Sequence, residues 1–167
     1  PIFHFDSVDS VSNKYKGWFI DDMYVDHKPT PSYADMIKCG DYDKKFIWTL
    51  KKGNSSGANW GIDSTGTPVL SKGCALNFNS YNSSTKKYDF KCPLKKDRVF
   101  GWATSSTLYV KKPAAGAKTY ATFYTYFDTE SSTGKYDQVW FRVLATNGSV
   151  LQNSKLSKSN AIKKWKK

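Results

Sequence analysis

The chain has 167 residues, 26 Lys and Arg against 14 Asp and Glu, with 16% aromatics; that suits one domain with a sizeable core and excludes a disordered polymer. No apolar run is long enough to span a bilayer, and two histidines, His4 and His27, without any C-x-x-C spacing argue against a zinc site. Residues 1–50 carry a balance of −2 and residues 51–167 one of +14, yet only Arg98 and Arg142 are Arg; base readout and bidentate phosphate binding favour Arg, so the field reads as solubilising or diffusely polyanion-attracting, without specific nucleic-acid recognition.

Periodicity is strand-like almost throughout. A short strand is predicted at Ile2-Phe3-His4-Phe5 and a longer one over Trp18 to Val25. The polar stretch His27-Lys28-Pro29-Thr30-Pro31-Ser32 follows; neither proline can donate to a ladder, so it reads as a linker over 27–32. Further strands are expected at Phe46 to Leu50, Cys74 to Phe78, Tyr88 to Cys92, Val99 to Trp102 and Thr107 to Val110. The second and third of these form an apparent hairpin. The strongest pattern is Thr119 to Phe127 followed by Asp137 to Leu144, with turn chemistry in Ser131-Ser132-Thr133-Gly134 between them. Only Lys158 to Lys167 suggests a helical turn. One Glu against thirteen Asp also disfavours helix. Such strand spacing argues an all-β sandwich of two antiparallel sheets. Of three cysteines, Cys74 and Cys92 flank the apparent hairpin and are the expected disulfide, leaving Cys39.

The segment Phe5-Asp6-Ser7-Val8-Asp9, then Gly17-Trp18-Phe19-Ile20-Asp21-Asp22-Met23-Tyr24-Val25, resembles the closing strands of secreted bacterial MAM-like jelly-roll modules. These include choice-of-anchor J domains, cleaved-adhesin domains and the β-modules of immune-inhibitor-A-type metallopeptidases. A middle signature of that group is matched by Phe127-Asp128-Thr129-Glu130 and Tyr136-Asp137, and Trp48, Asn59-Trp60-Gly61 and Ser105 to Val110 resemble its opening half. The order is rotated: the closing signature comes first. Residues 1–26 are therefore expected to be the closing strands of a jelly-roll module, and 33–167 its main body. The chain would be a slice of a tandem array, a circular permutant completed by its own first strands, or a donor of those strands to a neighbouring copy. Self-completion is the favoured reading, because a jelly roll without these strands would expose apolar edges.

The resemblance implies a structural calcium ion held by Asp21, Asp22, Asp128, Glu130 and Asp137, with Asp41 and Asp43 as weaker contributors; Ca²⁺ takes six to eight hard oxygens. The alternative is that these are ordinary turn and strand-end acids. Asp128 and Glu130 face one side of a strand, but that spacing is commonplace and nothing else completes a catalytic set, so no enzyme activity is expected. Trp60 and Trp165 are the tryptophans expected to be exposed for stacking on a sugar, against a bland role in the core. The run Lys163-Lys164-Trp165-Lys166-Lys167 is polyanion-binding or simply a solvated end. The resulting expectation is a non-catalytic extracellular module, secreted or on a bacterial cell surface, that binds a glycan or a protein partner. A structural repeat completed by strand exchange with further copies, or an accessory domain of a secreted peptidase or glycosidase, is the alternative.

Overall fold

The structure is a computed structural model describing residues 1–7, 15–26, 36–37, 47–54, 59–63, 70, 73–79, 81–82, 84–88, 99–110, 113–129, 136–156 and 163–167. These contain β1 (Ile2–Asp6), β2 (Gly17–Asp26), β3 (Trp48–Asn54), β4 (Asn59–Asp63), β5 (Ala75–Asn79), β6 (Tyr81–Asn82), β7 (Lys87–Tyr88), β8 (Phe100–Ser105), β9 (Tyr120–Asp128), β10 (Gln138–Leu144), β11 (Val150–Lys155) and β12 (Trp165–Lys166). Two five-stranded sheets stack as a β-sandwich, one ordered β11-β10-β1-β8-β3 and the other β12-β9-β2-β5-β4; β6 and β7 form a small separate ladder. Every pairing is antiparallel. The chain passes repeatedly from one sheet to the other, as in a jelly roll.

Each central position belongs to the first 26 residues. β1 lies between β10 and β8, and β2 lies between β9 and β5. Their sequences explain the placement. In β1, Phe3 and Phe5 alternate with outward residues and are fully buried, and β2 is buried along nearly its whole length, as a strand covered on both faces must be. The linker reading of 27–32 lies outside the described residues.

The inter-sheet core is aromatic. Phe3 of one sheet meets Trp18 of the other edge-on at 5.5 Å and Phe123 at 5.1 Å, and lies 5.8 Å from Trp48 and 5.2 Å from Phe141 within its own sheet. Phe5 stacks on Phe78 across the sheets at 4.6 Å. Trp18 donates its indole N–H to the Thr125 hydroxyl at 2.6 Å, and the partly buried Trp48 donates to the Met36 carbonyl at 3.1 Å, so both rings pack without losing a hydrogen bond. Gly17 opens β2 at φ 104, and a β-carbon there would run into the Phe78 carbonyl. Only glycine accepts both the left-handed backbone and the close approach.

Several predicted elements differ. Thr119 to Phe127 and Asp137 to Leu144 do form strands, β9 and β10, but these belong to opposite sheets; β9 pairs with β2, and β10 with β1. β5 pairs with β2 and β4, not with the Tyr88 segment, which meets Tyr81 instead. Thr107 to Val110 is not a strand. The end of the chain carries β12 where a helical turn is predicted, because Trp165 adds to the edge of β9 and packs 5.7 Å from Tyr126.

Candidate functional site

At the end of the sandwich where β1 begins and β2 finishes, the sheets part into a groove of about 1000 Å³, lined by 21 residues that include Ile2, Val25, Thr104, Tyr120, Phe141 and Leu151. Its floor comes from inward-facing positions of β10, Phe141 and Val143. Its walls come from the stretches after β8 (Ser106, Thr107, Leu108, Val110) and after β10 (Ala145, Thr146, Gly148). The turn after β10 is held by backbone bonds from Ala145 to Ser149 and from Gly148 back to Ala145, both 2.9 Å, and Ser149 N–H is capped by the Asn147 side chain at 3.0 Å. None of the 21 residues is Asp, Glu, Lys or Arg. In a chain that is 24% charged, the side chains lining the groove carry no formal charge. Hydroxyls and aliphatic groups alternate around the lining, and Tyr120, 40% exposed, stands at the rim with Leu144 and Leu151. The volume is that of a small-molecule or short-oligomer site.

The acids divide between two places. Asp128 and Asp137 line one small cavity with Phe5, Ser7, Tyr15, Gly17 and Thr129, with room for about one water, 10 Å³. Both are buried. Asp137 sits at φ 47 and donates its backbone N–H to the Ser7 carbonyl at 3.2 Å. Burial, and then the Asp128 carboxylate, hold the Tyr126 phenol above its ordinary pKa. Asp21 lies elsewhere, opposite Tyr124 on β9, whereas Asp128 is opposite Gly17. The two carboxylate oxygens of Asp21 accept the N–H groups of Asp22 at 2.8 Å and Leu70 at 3.0 Å, which ties Leu70 to β2. Asp22 occupies the bulge that follows, at φ 49.

Thus β2 is not the regular strand that would send Asp21 and Asp22 to opposite faces. Glu130, Asp41 and Asp43 lie outside the described residues. As a calcium site, the Asp128–Asp137 cavity has the right kind of donor, hard oxygen in a confined space: two carboxylate residues and the hydroxyl residues Ser7, Tyr15 and Thr129 line it, and backbone carbonyls or water would have to complete the six to eight ligands. Among the described residues no group of three or more His, Cys, Asp or Glu converges as a metal site.

The expected sugar-stacking tryptophans are placed differently. Trp60 is only 5% exposed; it is part of the core, 5.5 Å from Trp18 and 5.4 Å from Phe78, because β4 turns it between the sheets, so it cannot stack on a ligand. Trp165 is half-buried against Tyr126. Cys74 is disulfide-bonded, while Cys92 and Cys39 lie outside the described residues. Gly53-Asn54-Ser55-Ser56-Gly57 has the letters of a nucleophile elbow, which needs a strand followed by a helix. Here β3 ends at Asn54 and the strand β4 starts at Asn59; Ser55, Ser56 and Gly57 lie outside the described residues. Sequence reasoning missed the groove, whose lining comes from five separate parts of the chain (1–2, 25, 104–110, 119–121 and 141–154), none of them a motif.

No helix among the described residues is long and apolar enough to cross a membrane. In comparisons with known proteins, no family model, no curated protein and no solved structure matches this chain.

Proposed function

We propose that this chain is a non-catalytic extracellular β-sandwich module that binds a neutral glycan in the groove between its sheets, as an adhesion or accessory part of a larger secreted or cell-surface bacterial protein. The observation that carries the reading is the lining of the groove: hydroxyls and aliphatic surface, with no Asp, Glu, Lys or Arg. A sugar offers the matching mixture, hydroxyls for hydrogen bonds and C–H faces for apolar contact. Titration with neutral hexasaccharides (cellohexaose, xylohexaose, chitohexaose), followed by amide chemical shifts, is expected to move resonances of Tyr120, Thr104 and Leu151. Tyr120→Ala is expected to weaken binding about tenfold, or ~1.4 kcal/mol, at unchanged melting temperature. Absence of binding, or shifts confined to other surfaces, would refute the reading. Self-completion is supported over strand exchange by β1 and β2, which fill the centres of their own sheets.

A structural calcium ion is proposed at Asp128 and Asp137, the two resemblance-implied acids that share a cavity. With calcium at about 100 times its dissociation constant, chelation is expected to lower stability by ~2.7 kcal/mol and the melting temperature by roughly 5–10 °C for a domain of this size. A melting curve unaffected by chelator rules the ion out.

A further inference from the structure

We propose that the outer face of the β11-β10-β1-β8-β3 sheet is a second binding surface, made for an acidic polysaccharide laid across the strands. The registers set Lys155 beside Trp140, Trp140 beside His4, His4 beside Trp102, and Trp102 beside Lys51. One row of side chains therefore crosses all five strands, with a lysine at each end. At about 4.8 Å per strand, the two lysine positions are ~19 Å apart. Inside the row, the His4 ring stacks 4.8 Å from Trp140 and 5.1 Å from Trp102, with interplanar angles of 17° and 12°. Lys155 Nζ caps the other face of Trp140 at 5.9 Å from the ring centre.

This stacking determines what the row can bind. The rings face one another along the strand-to-strand direction; the ring nitrogens of His4, in the middle, are buried, so the edges offered off the sheet are those of Trp102 and Trp140. An aromatic edge is the positive rim of the ring quadrupole and attracts oxygen lone pairs. Arg142 adds a third cation two positions along β10 from Trp140, its Nε donating to the Asn153 side chain at 3.0 Å. No carboxylate among the described residues pairs with Lys51, Lys155 or Arg142. Asp6, also on β1, is buried. The surface thus offers unneutralised cations and positive ring edges spread over a distance that suits several linked sugar rings bearing carboxylates. Nucleic acid is a poorer match. Bases bind by stacking on free aromatic faces, and here the faces of His4 and the two tryptophans are turned on one another. On the opposite sheet the corresponding outer position Phe19 is instead fully buried, against Tyr126.

The test is calorimetric titration with hexagalacturonate at low salt, alongside cellohexaose, oligo(dT) and phosphatidylserine vesicles. Hexagalacturonate is expected to bind with an affinity that falls as salt is added, and the Lys51→Ala/Lys155→Ala double variant to lose about tenfold or more at unchanged melting temperature. The groove variant Tyr120→Ala should bind hexagalacturonate as the parent does, which separates this surface from the groove. The proposal is overturned if cellohexaose binds outside the groove equally well, if the double variant binds like the parent, or if oligo(dT) or the vesicles bind more tightly than hexagalacturonate.

Discussion

A chain lacking residues 1–26 is expected to stay unfolded under conditions in which the whole chain folds. The missing segment supplies the middle strand of both sheets, so β10, β8, β9 and β5 would each lose a complete hydrogen-bonded neighbour and leave two interior gaps with open strand edges. It also carries Phe3, Phe5, Trp18, Phe19, Ile20 and Met23, all at most 2% exposed. Truncating one buried aromatic costs about 3–5 kcal/mol, while a domain's whole stability is about 5–15 kcal/mol; loss of six buried side chains exceeds that several times over. Far-ultraviolet circular dichroism and amide-shift dispersion of the truncated chain provide the check. A cooperatively melting truncated protein would mean that the central placement of β1 and β2 is wrong.

Phe3→Ala is expected to be the most damaging point substitution in β1. Phe3 bridges the sheets, meeting Trp18 and Phe123 on one side and Trp48 and Phe141 on the other. Four surrounding rings are too large and too constrained to collapse into the space it leaves, so both the transfer and the cavity costs apply. The expected loss is about 3–5 kcal/mol, which lowers the melting temperature by roughly 6–20 °C. In urea the midpoint should fall with little change in slope, as for a stability loss without a change of unfolded state. A loss under about 1 kcal/mol would place Phe3 outside a tightly packed core.

How far the structure is legible in the chain depends on the kind of signal. Phe3-His4-Phe5 announces both its strand and its two faces, because alternate positions point oppositely; Gly101-Trp102-Ala103 and Val139-Trp140-Phe141 carry the same alternation. From those three triplets an outward His4, Trp102 and Trp140 follow, but their being neighbours in one row does not, since register between distant strands leaves no trace in local pattern. The sheet to which a strand belongs is equally hidden. β9 and β10 look like a hairpin in sequence because they are consecutive and strongly β-forming, yet tertiary packing assigns them to opposite layers. β11, Val-Leu-Gln-Asn-Ser-Lys, escapes detection because an exposed edge strand has no buried face to impose alternation. Trp60 misleads for a related reason: its Gly- and Asn-rich surroundings read as a loop, while β4 carries it into the core. The jelly-roll resemblance of residues 3–25 covers two strands that the fold places at the centres of opposite sheets; it does not bring Asp21 to Asp128, because four positions of the β2–β9 ladder separate them.

The central positions of β1 and β2 also govern how the chain can reach its native state. β1 needs β10, whose first residue is Gln138, so during synthesis it waits for about 130 further residues, roughly 7–26 s at 5–20 residues per second. Sequence-adjacent strands pair at the outer positions, β10 with β11 and β4 with β5, but each central strand joins partners distant from it in sequence. Contacts of such sequence separation make folding slow. Until β9 and β10 emerge, the aromatic residues of β1 and β2 have only part of their native surroundings, from β4, β5 and β8, which makes the growing chain, rather than the finished domain, the form most exposed to aggregation.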